Sequence, residues 1–157
     1  MKDELQQVLK VQRAISKVAG FAVTALAEAI SYNLTDKPGS GVGTPVKTGL
    51  ARTNWVLTVG APFGGLVSYV GQSNPPPVDT FARARNEQAA ASYDFSIGLG
   101  VGGSGQPVFL VNNVEYIVDL NKGSSRQATA GFVQRAIEKA VFRQLAPRVR
   151  DKARGGR

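Results

Sequence analysis

Pro107-Val108-Phe109-Leu110-Val111-Asn112-Asn113-Val114-Glu115-Tyr116-Ile117-Val118-Asp119-Leu120 is the stretch that decides between a helical and a mixed fold. Two apolar runs rich in β-branched and aromatic residues flank an asparagine pair. Asparagine tolerates the positive φ that a two-residue turn needs, so the stretch predicts a β-hairpin, 107–111 against 114–120. In that reading Glu115 and Asp119, an even number of residues apart, share one face of the second strand. Upstream, Tyr93, Phe95, Ile97 and Leu99 alternate as a further strand, joined to the hairpin by a glycine-rich link over 100–106. Trp55, Leu57 and Val59 alternate with Val56 and Thr58 as another, and 66–70 reads as a short strand within the irregular segment 60–77.

Helices flank this β-rich region. Leu5, Val8, Val11, Ile15, Val18, Ala22, Leu26 and Ala29 or Ile30 recur at three-to-four spacing, which predicts one long helix over 3–32, with Lys10, Arg13 and Lys17 mostly off the stripe. Gly20 marks a bend or a close approach, and the alanines after it let a second helix come near. A loop follows over 34–43. A second helix is expected over 79–91, capped by Asp79, with Phe81, Ala84, Gln88 and Ala91 at turn spacing. The last helix, 128–145, carries Phe132, Val133, Ala136, Ile137, Ala140 and Val141 on its stripe and is expected to end at Pro147. The fold class is α+β: a small, largely antiparallel sheet packed against a long N-terminal and a C-terminal helix. Residues 1–146 form one domain, and 147–157 a basic, flexible tail.

Composition narrows the chemistry. The 157 residues include no cysteine and no histidine, which removes thiolate chemistry and the commonest near-neutral acid–base group and metal ligand. Gly98-Leu99-Gly100-Val101-Gly102-Gly103-Ser104-Gly105 lacks the following helix that a phosphate-binding loop requires, and Lys122-Gly123-Ser124-Ser125 reads as a polar turn. No base is placed to activate a serine. The reading is therefore not an enzyme, with no cofactor and no metal; a virion-assembly protease is the weakest rival. No 18-residue window free of charge marks a membrane span.

The formal charge is +8, from 19 Lys plus Arg against 11 Asp plus Glu. Part of the excess is local: Arg143, Arg148, Arg150, Lys152, Arg154 and Arg157 are opposed only by Asp151. That run is either a solvated tail or a candidate contact for DNA backbone or an acidic neighbour, without base readout. Trp55 reads as a core anchor or an interface anchor, and Tyr116 and Phe109 carry the same two readings.

Three pieces, in order, resemble one family. Thr44-Pro45-Val46-Lys47-Thr48-Gly49-Leu50-Ala51-Arg52-Thr53-Asn54-Trp55 is similar to a Thr-Pro-Val-Asp-Thr-Gly run that leads into a Trp or apolar strand, with Lys47 in place of Asp. Asn112-Asn113, Tyr116, Leu120, Gly123 and Ser125 follow the pattern Asn-Asn-x-x-Tyr … Leu-Glu-x-Gly-x-Ser, with Asn121 in place of Glu. Gln127-Ala128-Thr129-Ala130-Gly131-Phe132-Val133 is similar to Gln-Ala-Pro-Ala-Gly-Met-Val at the head of a final helix, with Thr129 in place of Pro. Together they resemble the tail-component family of lambda-like siphophages, known as neck, tail-completion or head–tail joining proteins. The resemblance implies a structural subunit present as a ring around the DNA channel, in the virion neck after assembly in the host cytoplasm. Its implied partners are copies of itself, neighbouring portal, adaptor, tail-tube or terminator proteins, and genomic DNA through non-specific contact, with no membrane. A small non-specific nucleic-acid-binding module is the runner-up, on the strength of the charge.

Overall fold

The computed structural model describes residues 2–37, 39–68, 76, 78–93 and 106–155. The chain has a mixed α+β fold. Helix α1 (Lys2–Leu34) leads to a short α2 (Leu50–Thr53), strand β1 (Val56–Val59), α3 (Thr80–Ala91), strand β2 (Val108–Val111), α4 (Ile117–Asn121), α5 (Phe132–Lys139), a π-helical stretch (Ala140–Leu145) and α6 (Ala146–Ala153). The two strands pair antiparallel, Val56 opposite Val111 and Val59 opposite Val108, and Gly60 N extends the ladder to Pro107 O at 2.9 Å.

The expected hairpin is corrected. β2 directs its backbone bonds to β1, and 117–121 is helix, not strand. Val114, Ile117 and Leu120 recur every third residue, so a short apolar run satisfied both periods, and tertiary contacts chose the helical one. Val114 is buried, its carbonyl accepts from Ile117 N at 3.0 Å, and Ile117 and Leu120 pack on the core. Neither asparagine takes a positive φ. Instead Asn112 Nδ2 donates to Ala51 O (2.6 Å), and Asn113 Nδ2 donates to Phe63 O (2.7 Å) and Gly65 O (2.9 Å), pinning the 60–68 loop against the sheet. Glu115 and Asp119 are accordingly exposed on a turn and a helix, not paired on a strand. Residues 66–68 are not strand, and the strand and link expected over 93–106 lie outside the described residues except for Tyr93, which is not strand, and Gln106.

Small residues let the helices approach. Ala25 and Ala29 on α1, Ala82 and Ala90 on α3, and Ala136 and Ala140 at the end of the chain are all buried. A core of Leu34, Val42, Trp55, Phe132 and Ala136 fills the space between the sheet and the two long helices. The buried face of α3 is not the expected one: Ala82, Asn86 and Ala90 point inward, while Phe81 is 68% exposed. Asp79 caps α3 as expected, Oδ1 accepting from Ala82 N at 2.9 Å.

Pro147 does not end the last helix. It sits in the first turn of α6, after a π-helical stretch, and the helix runs on to Ala153. A widened turn just before a proline removes the need for the i−4 hydrogen bond that proline cannot donate. The stretch from 147 is thus helical through 153 and packs on α1. Within Gln6–Leu34 an 18-residue window reaches a mean hydropathy of 1.4, which suffices by length and composition to cross a bilayer; a quarter of it is buried inside the molecule.

Candidate functional site

The motif residues come from three parts of the chain, and the fold brings Pro45, Thr48, Gly49, Tyr116, Leu120, Ser125 and Gln127 to one groove, while Thr44 and Trp55 are buried and Asn112 and Asn113 bind the 51–65 segment. At the end of α1, Leu34 O accepts from both the backbone N (3.1 Å) and the Oγ1 (2.7 Å) of Thr44. The same hydroxyl accepts from Trp55 Nε1 at 2.7 Å, using the donor and acceptor capacity of one threonine at once. Trp55 is therefore a core anchor, 7% exposed, and Thr44 ties the helix end to it. Gly43 fits only as glycine, since a Cβ there would lie 2.4 Å from Lys37 O.

Gln127 binds the third piece to the first, its Oε1 accepting from Val46 N at 2.6 Å. Asn121 binds the second to the third. Its carbonyl accepts from Gly131 N (2.6 Å) and its side-chain oxygen from Val133 N (3.0 Å), supplying from outside the cap that α5 lacks at Gly131. Arg135 completes the junction, donating to the carbonyls of Gly41, Thr129 and Ala130. Gly49, Gly123 and Gly131 all hold positive φ, 94°, 98° and 79°.

These ties leave an open groove of about 610 Å³. Pro45, Lys47, Thr48, Gly49, Leu50 and Ala51 form one wall, Tyr116 and Leu120 the other, and Ser124, Ser125, Arg126 and Gln127 the end. A second groove of about 440 Å³, with Gly123 and Ala130 in its lining, shares Ser125, Arg126 and Gln127 with the first. The lining of the larger groove is mostly apolar, through Pro45, Leu50, Ala51 and Leu120, with hydroxyls and two cations, Lys47 and Arg126, among them and no carboxylate. Such a lining can hold an acidic or carbonyl-rich surface; it offers a serine no base. Among the described residues no group of three or more Asp or Glu converges as a metal site.

The basic run divides. Arg148 donates to Glu28 Oε2 (3.2 Å) and Ala25 O (3.3 Å) and lies 5.9 Å over the Phe21 ring, and Lys152 Nζ lies 5.3 Å over the same ring. Both fasten α6 to α1. Arg143, Arg150 and Arg154 are exposed, and Arg157 lies outside the described residues.

A buried polar network behind the groove had no sequence signal that periodicity could expose. Asn86 Nδ2 donates to Ser31 Oγ (2.6 Å) and Trp55 O (2.8 Å), while its Oδ1 accepts from Leu57 N (3.1 Å). Thr53 Oγ1 donates to Asp79 Oδ2, Arg85 Nη2 donates to the carbonyls of Thr53 and Trp55, and Arg52 Nη2 donates to Pro76 O. Arg83 lies 4.7 Å over Tyr32 and 3.7 Å from Asp36. Burial pulls the Arg83 and Arg85 guanidiniums below their ordinary pKa, against the opposing pull of Asp36 and Asp79 on Arg83 and of Asp79 on Arg85.

No family model, curated protein or solved structure gives a significant match to this chain.

Proposed function

We propose that this chain is a structural subunit of a phage neck or upper tail, one copy in a closed ring that completes the tail and joins it to the head. The observation that carries the reading is the convergence of the three family-like pieces. Residues as far apart as Pro45, Tyr116 and Gln127 line one solvent-open groove, and one motif side chain, Gln127, ties the third piece directly to the first. An open groove that mixes apolar side chains (Pro45, Leu50, Ala51, Leu120) with hydroxyls and cations suits a protein neighbour. A ring needs a surface that meets a different surface on the next copy, and an open groove is one half of such a pair. Exposed Arg143, Arg150 and Arg154 suit non-specific contact with DNA phosphates or an acidic ring above or below.

The test is the native mass of the purified full-length chain in low and in high salt, with negative-stain images of the same samples. A single closed oligomer with a central opening, persisting at high salt, is the expected result, because salt screens charge pairs and strengthens apolar burial. A monomer at every concentration that binds duplex DNA, with affinity falling steeply as salt rises, would replace this reading with the nucleic-acid-binding module.

A further inference from the structure

The first turns of α1 stand away from the rest of the molecule. Every side chain described between residues 6 and 15 is exposed, and burial begins only from Val18 onward. Val8, Val11 and Ile15 are 59%, 59% and 58% exposed although all three are large and apolar. A bare helix of this length is marginal in water, and an apolar row along it makes exposure more costly still.

The spacing of that row tells what covers it. Val8, Val11, Ile15, Val18, Ala22, Ala25 and Ala29 alternate by three and four without a break, a period of 3.5 and not 3.6. That period is the mark of a helix packed lengthwise on another helix. Ala25 and Ala29, at the far end of the same row, are buried where α1 packs against the molecule's own α3, α5, π-helical stretch and α6. The row is thus one continuous helix-packing seam, covered within the molecule at one end and bare at the other.

Charge selects the occupant. In the heptad frame that places Val8 and Ile15 at a and Val11 at d, the flanking g positions hold Gln7 and Ala14. Lys10 and Arg13 fall at the outer c and f positions. A chain of net charge +8 repels its own copies unless the contact keeps its charges apart, and this seam does so. An acidic partner helix would be met by cations beside the seam, and none stands at those flanking positions. We infer that the exposed Val8–Val11–Ile15 row of α1 packs against the same row of a second copy of this chain, leaving Lys10 and Arg13 on the outside. The inference adds a two-fold contact between copies beside the head-to-tail contact that a ring requires, and rests on the ring reading only for its place in a larger assembly.

The absence of cysteine gives a clean test. Val11 lies at the centre of the bare row, so it meets Val11 of the partner whether the helices run parallel or antiparallel. Under copper-phenanthroline oxidation, full-length Val11→Cys is expected to form disulfide dimers about a hundredfold faster than Arg13→Cys, because pairing raises the local thiol concentration from about ten micromolar to about a millimolar. The Val11→Asp/Ile15→Asp double variant is expected to lower the native mass while leaving thermal unfolding of the body unchanged, since both positions are exposed. Equal cross-linking at positions 11 and 13, or a native mass unmoved by the double variant, overturns the inference. So does co-sedimentation with equimolar phosphatidylcholine–phosphatidylglycerol vesicles that the double variant abolishes, with slow Val11→Cys cross-linking; the row then faces lipid. A closed ring that survives the double variant removes this contact and leaves the ring reading standing. Rapid Val11→Cys cross-linking without any closed oligomer keeps the contact and removes the ring.

Discussion

Asn86 holds together parts of the chain that share no sequence neighbourhood. Its amide joins α1 through Ser31 to Trp55 and to Leu57 of β1, and it is 1% exposed. Replacing it by alanine leaves Leu57 N without this acceptor in a buried site, where an unmet donor costs about 1–3 kcal/mol, and loses the two bonds its amide donates. Asn86→Ala is expected to lower unfolding stability by about 3 kcal/mol, measured as a shift in the urea midpoint at unchanged m-value. Residues of this kind were the least legible in the sequence. Hydropathy periodicity turns Phe81 inward and Asn86 outward, and the structure does the reverse. A buried amide is defined by partners 29 to 55 residues away, and no local pattern records them. The residues that local chemistry does define were legible: Asp79 as a cap, and Trp55 as a core anchor, one of its two readings.

Elements were legible in proportion to their length. α1 ends two residues beyond the expected 32 because its apolar row repeats over many turns, and α3 begins one residue after its expected cap. The 114–120 run was misread because seven residues satisfy two periods at once, and only the packing of Ile117 and Leu120 on the core decides between them. The break at Pro147 was misread because the cost of a proline depends on the turn before it, and a π-helical stretch there changes that cost. At the head of α5 the cap comes from another element: Asn121 accepts from Val133 N across twelve residues. Asn121→Ala is expected to cost about 1 kcal/mol, as loss of a helix cap ordinarily does, whereas Asn121→Asp keeps the acceptor and stays within a few tenths of a kcal/mol. Gly131→Ala forces a Cβ into the left-handed region at φ 79° and is expected to cost about 1–2 kcal/mol, with nothing crowding the site to add to it beyond side chains 3.6 Å away. Thermal and urea unfolding of these single variants measure both.

At the scale of the whole molecule, the basic run separates into a structural and an accessible part, and the separation predicts two different phenotypes. Arg148 and Lys152 are engaged with Glu28, Ala25 and Phe21 of α1. Arg148 remains 43% exposed at the side chain, so its ion pair is screened by solvent and its removal is expected to cost no more than about 1 kcal/mol. Arg150 on α6 and Arg154 at its C-terminal cap lie four residues apart, both exposed. If DNA phosphates pass these two residues, each guanidinium that meets one releases about 0.9 of a counterion. Arg150→Ala/Arg154→Ala is then expected to weaken binding to duplex DNA of any sequence alike and to flatten the slope of log K against log salt by about 2, with unfolding unchanged. Arg148→Ala is expected to do the converse, moving the unfolding midpoint slightly and leaving the salt slope nearly as it was. Fluorescence anisotropy across a salt series, on both variants and the parent chain, reads the two slopes directly. Parallel slopes for parent and double variant would mean that α6 turns its arginines to a protein neighbour, because an acidic protein surface carries no condensed counterions to release.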